Sequence, residues 1–227
     1  MSSSKKKFQH KINNMNRIFL IISFIFISYH TLSQASGTFA DIRDGQTYEF
    51  VVIGNQTWMA ENLNYITPDS WCYADSISNC DMYGRLYTWK AAMTACPDNW
   101  HLPGDEEWKI LERYIGMTKE EADIFLYRGE GKGTILKSKS DWGSINNQDS
   151  EYNKIGFNAL PSGYRMFTDG SFVGKTKDAR WWTSSTEVWQ GNTYAFRRCI
   201  YSDKTGIDRD AATRTLGFSV RCVKNQP

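Results

Sequence analysis

The chain has 227 residues, 41% of them hydrophobic, with nine Trp, five Cys and a formal net charge of +2. That length builds one domain with a substantial core and leaves little room for a second. The slight basicity is confined to the first 35 residues, which hold five Lys/Arg and no acid, so the remainder is −3 and offers no nucleic-acid surface.

Residues 1–35 read as a secretory signal. Lys5, Lys6, Lys7, Lys11 and Arg17 lead into the apolar run Ile18 to Ile27, and Ser33-Gln34-Ala35 supplies small residues for cleavage. The run falls short of the roughly 20 residues of a spanning helix, though an uncleaved anchor is the competing reading. Met15 is an alternative start. Export to the extracellular space or outer envelope follows, with no membrane contact after cleavage.

A short segment, 36–40, precedes the domain expected over 41–224, and 225–227 form a tail. Thr47 to Ile53 and Gln56 to Ala60 are rich in β-formers and separated by Gly54-Asn55, which predicts a strand pair. Residues 64–84 read as polar and irregular. Leu86 to Ala95 has helical spacing, with Trp89, Ala92, Met93 and Cys96 on one stripe, and Pro97 stops it. A second helix is predicted from Asp105 to Tyr114, its first turn carrying Glu106 and Glu107, its buried side Trp108, Leu111 and Ile115. Thr118-Lys119-Glu120-Glu121 is a capping-box pattern opening a third helix through Leu126.

Gly129 to Thr134 superficially evokes a phosphate loop but lacks its spacing, and reads as a flexible turn. Gly143 to Asn153 reads as a surface loop. Short β-like pieces then cover 156–160, 163–167, 171–173, 180–184, 193–201 and 217–223. The fold class is therefore α+β: two to three helices packed on a twisted antiparallel sheet.

All five Cys lie beyond the leader, and an exported chain meets an oxidising compartment. Cys72 and Cys80 flank a short polar loop and suit a local staple. Cys96 with Cys222 would close most of the domain, a loop worth about 4–5 kcal/mol in the chain-entropy picture. Cys199 is then a free thiol, with burial as its default state. Spacing alone leaves the connectivity open.

Six blocks resemble one family. They are Ile53 to Leu63, Tyr83 to Trp89, Cys96 to Trp108, Gly156 to Arg165, Trp181 to Glu187 and Gly217 to Cys222. In this order they are similar to the Fibrobacter succinogenes major paralogous domain, which implies an exported or surface domain without a settled activity. A more distant similarity to C-type-lectin-like domains implies their scaffold and a Cys96–Cys222 bridge. The calcium-binding triplets of the sugar-binding lectins are missing from this sequence. A third similarity, to formylglycine-generating oxidases, implies copper(I) held by two thiolates. Only Cys199 matches, and Tyr194 stands where its partner would be.

No catalytic constellation is found. His101 is the only His beyond the leader, so a multi-His metal site is not expected and a local packing role is. Asp203, Asp208 and Asp210 read as solvated loop carboxylates, with calcium as a weaker alternative. No cofactor is expected.

Candidate ligand residues are Trp181, Trp182, Glu187, Trp189, Gln190 and Asn192. Exposed rings stack on the apolar faces of sugars, and neighbouring polar groups orient them. Trp181 and Trp182 alternate in a strand, which places one ring in the core and allows the other to be exposed. Packing is the competing reading for all three Trp. The resulting expectation is a non-catalytic binding or adhesion module, its partner a polysaccharide or a surface protein. The alternatives are a copper-dependent oxidase and a structural envelope protein.

Overall fold

A computed structural model of the chain describes residues 35–143 and 150–226. The leader and part of the loop expected over 143–153 lie outside them. The described residues belong to the compact unit 34–227.

The first element is unexpected. Ser36–Ala40, read as a lead-in segment, is strand β1, paired antiparallel with β2 (Thr47–Ile53). Val51 and Ile53 are buried together on one face of β2, while Tyr48, an odd number of residues away, is buried in the other aromatic cluster on the opposite face. β3 (Gln56–Met59) follows from a turn at Gly54, φ 62°. The supposedly irregular stretch contains β4 (Ser70–Trp71) and a helix, α1 (Ile77–Tyr83).

Leu86–Tyr87 is strand β5, so α2 (Trp89–Ala95) starts later than the predicted Leu86. The reason is local: Thr88 is extended, and its hydroxyl accepts from the Ala91 N–H at 3.3 Å, fixing the helix start behind it. After β6 (Trp100–His101) comes α3 (Asp105–Tyr114), whose first turn holds three acids. The Glu107 carboxylate accepts from the Gly104 N–H at 2.7 Å.

Thr118 caps α4 (Lys119–Asp123), which ends before the predicted Leu126. There the chain enters β7 (Leu126–Arg128) with Leu126 at φ 69°, a conformation a branched side chain seldom adopts. The glycine-rich stretch, read as a flexible turn, starts a helix instead: Gly131 at φ 79° precedes α5 (Lys132–Leu136).

The remaining strands are β8 (Ser162–Arg165), β9 (Phe172–Lys175), β10 (Asp178–Trp189), β11 (Asn192–Tyr201), β12 (Ile207–Ala212), β13 (Phe218–Ser219) and β14 (Val223–Lys224). Of the piece expected over 156–160, Ala159 alone makes a bridge, to Lys137. Asp208 and Asp210, expected in a solvated loop, sit in β12 and pair with β11.

The fold is mixed α+β, with five α-helices and one 3-10 turn (Tyr73–Asp75) among the described residues rather than two or three helices. One sheet runs β1-β2-β3-β14-β6, so the end of the chain is inserted beside its beginning. The other runs β4-β5-β13-β10-β11-β12-β7, with β8 and β9 attached to β10. β10 pairs antiparallel with β11 and parallel with β8 and β13.

Two aromatic clusters fill the core. Trp58, Trp108, Phe157 and Trp181 pack together, with Trp58 and Trp108 at 5.0 Å between centroids. Trp182 packs on Phe218 at 4.3 Å in the other cluster.

Buried charges fasten α3 to the second sheet. Asp105 meets Arg198 and Arg209, each at 2.8 Å, and Glu112 meets Arg198 at 2.6 Å and Arg128 at 2.7 Å. Burial alone would raise the Asp105 pKa, but hydrogen bonds from Arg209 and the charge of Arg198 outweigh it and hold the carboxyl well below the usual carboxylate range.

Disulfides join Cys72 to Cys80 and Cys96 to Cys222. The second ties the end of α2 to the segment entering β14. Cys199 is free and fully buried, and burial pushes its thiol up to about 12.

Candidate binding groove

The outer end of the β10–β11 hairpin is its most exposed part. The pairing shifts register between Trp182 and Thr186, after which Glu187 faces Tyr194 and Trp189 faces Asn192. Gln190 (φ 50°) and Gly191 (φ 78°) close the hairpin in two residues. Two successive left-handed residues match the right-handed twist of the flanking strands. Trp189 is thereby carried beside a tight two-residue turn, 61% exposed.

The facing wall comes from elsewhere in the chain. Leu126 pairs with Arg209 at the start of β7, and Phe125 just before it stays 42% exposed. Phe125 meets Phe196 of β11 edge-on at 6.3 Å, while the Arg209 guanidinium lies 4.6 Å from the centre of the Phe196 ring. Between the walls is a cavity of about 330 Å³ lined by Phe125, Glu187, Trp189, Tyr194, Asp210 and Ala211. The Trp189 and Tyr194 rings are 6.4 Å apart and tilted by 57°.

The charges in this groove are not equivalent. Asp210 is ion-paired with Arg197 and accepts from the Ala211 N–H. Glu187 has no ion-pair partner among the described residues. The groove can therefore offer ring faces and one available carboxylate. It contains no nucleophile with an adjacent base.

The sequence-derived candidates divide sharply. Glu187 and Trp189 line the groove together. Gln190 lies in the hairpin turn beside it and Asn192 opens β11, where the Asn192 side-chain amide donates to the Gln190 carbonyl at 3.4 Å. Trp181 and Trp182 do point to opposite faces, but both are fully buried because both faces of this part of β10 are covered. Neither ring is available to a ligand. Phe125 and Ala211 were missed, and Tyr194 and Asp210 were singled out only in other roles. Tyr194 could have been found from its place opposite Glu187 in a two-residue hairpin, whereas Phe125 carries no local signal.

The other candidates serve the fold. His101 bonds to Asn225 at 2.6 Å and to Glu107 at 2.8 Å. Asp208 accepts from the Tyr201 hydroxyl at 2.9 Å. The four cysteines besides Cys199 are bonded in pairs, so among the described residues it has no thiol partner. No group of three or more His, Cys, Asp or Glu among the described residues is placed to hold a metal ion. No helix among them is long and apolar enough to cross a membrane. A second groove of about 390 Å³ runs along β1 and β2, with Phe50 its one ring among the described residues.

No curated protein and no solved structure matches this chain. Its sequence does match one family over residues 51–224: the chain belongs to the Fibrobacter succinogenes major domain family.

Proposed function

We propose that the protein is an exported, non-catalytic binding module on a C-type-lectin-like scaffold, and that it holds carbohydrate in the groove between Trp189 and Phe125. The observation that carries this reading is the exposure of Trp189, at the end of the β10–β11 hairpin, beside the rings of Tyr194 and Phe125. Trp is costly to leave in water, and a soluble domain with a well-filled core has no packing need for this one. The apolar face of a pyranose fits flat against such a ring, and Glu187 and the Tyr194 hydroxyl supply hydrogen bonds at its edge.

The scaffold reading is supported by a helix that ends at a cysteine, bridged to the chain's closing segment, and by a last strand that pairs with β3 in the same sheet as the first. Export is supported by the leader's composition and by two disulfides, which persist in oxidising compartments.

The test is binding of purified protein to a panel of soluble and insoluble polysaccharides, with calcium and with chelator. Saturable binding lost in Trp189→Ala is expected. Absence of binding across the panel by demonstrably folded protein would overturn the carbohydrate reading in favour of adhesion to another protein.

A further inference from the structure

The charge distribution around the groove goes a step further than ring stacking. We propose that it selects glycans carrying protonated amino groups, a conclusion that rests on the carbohydrate reading above. The nearby arginines are already matched to acids. Arg197 is paired with Asp210, and Arg209 with Asp105. Glu187 is left with no cation to balance it inside a site walled by three rings. Glu120 and Glu121, on the helix that leads to Phe125, likewise form no ion pair among the described residues.

Ring faces and a carboxylate act in the same sense. The face of an aromatic ring carries negative potential and attracts a cation, most strongly where water is displaced. A neutral sugar seated here would strip water from Glu187 and return only hydroxyl hydrogen bonds. An ammonium on the sugar returns a charge-assisted bond and neutralises the carboxylate, while the pyranose ring still covers Trp189. The groove thus suits a hexosamine polymer in which amines are free rather than acetylated.

The experiment compares a glucosamine tetramer, its fully N-acetylated counterpart and a tetralysine of equal charge. Trp fluorescence of the intact protein reports binding at roughly pH 6, where the amines are protonated. The free-amine sugar is expected to bind about tenfold more tightly than the acetylated one, with the preference removed in Glu187→Gln and weakened at about 0.5 M salt. Equal affinity, or preference for the acetylated sugar, overturns the charge selection while the carbohydrate reading stands. Failure of both sugars to bind folded protein overturns both. Tetralysine binding as tightly as the amino sugar overturns the glycan assignment and leaves a site for cations alone.

Discussion

Trp181 and Trp189 lie on the same strand and live in different environments. Between Asp178 and Thr183, β10 is flanked by β11 on one side and by β8 and β13 on the other. α3 and the closing segment of the chain cover its faces, so Trp181 and Trp182 both reach zero exposure. Between Thr186 and Trp189 the strand pairs with β11 alone, and its last ring stands in water. Alternation along a strand tells which row a side chain joins. It says nothing about whether that row is covered, because the cover comes from residues distant in sequence. The same amino acid is structural at one end of β10 and available for binding at the other.

This contrast can be broken most forcefully through the tether that holds the cover in place. Replacing Cys96 and Cys222 by Ser opens a loop with a sequence separation of 126. Urea denaturation should show a loss of about 5 kcal/mol, and an unchanged midpoint would mean that the inner half is covered without the bridge.

Next in size is the inner ring itself. Trp182→Ala removes a fully buried side chain packed at a tilt against Phe218, and about 3–5 kcal/mol should be lost in the same measurement.

Acid titration addresses the covering helix. The Asp105 pKa is depressed in the folded protein relative to its ordinary value of 3.8. Its contribution is therefore fully present above that value and is lost as pH falls below it. Thermal melts from neutral to acid pH should show a shallower acid limb in Asp105→Asn than in the parent protein. Identical limbs would separate the α3 anchor from acid stability.

The smallest expected stability effect belongs to Trp189→Ala, a change within about 0.5 kcal/mol because the ring packs little. Its binding to polysaccharide should nevertheless disappear. A loss of several kcal/mol instead would make Trp189 a core residue in disguise and erase the distinction between the two halves of β10.

The sequence made the punctuation of the fold legible better than its pairings. Thr118, with its hydroxyl acceptor, and the acidic start of α3 mark helix ends through contacts within a few residues, and both are found where expected. Thr88 has the same cap chemistry, but the expected helix runs back over Leu86 and Tyr87, which form a strand, and so passes over the cap.

β12 was hidden for a different reason. Ile-Asp-Arg-Asp-Ala-Ala reads as a solvated loop, and its charges enter a sheet only because Arg197 and Asp105 arrive to meet them. The groove shows the same limit. Glu187 and Trp189 are two residues apart and could be read together, whereas Phe125 is delivered by the β7–β12 pairing.

The isolation of Cys199 has a consequence in time. A thiol exchanges with disulfides through its thiolate, and in the finished sheet burial makes that form scarce and unreachable. In the unfolded chain all five cysteines are exposed and equivalent, and Cys199 competes for every partner. β10, β11 and β12 therefore act as a clock. If they close before oxidation is complete, the remaining four cysteines can pair only among themselves. If oxidation runs ahead, the fifth thiol remains free to trap mispaired chains.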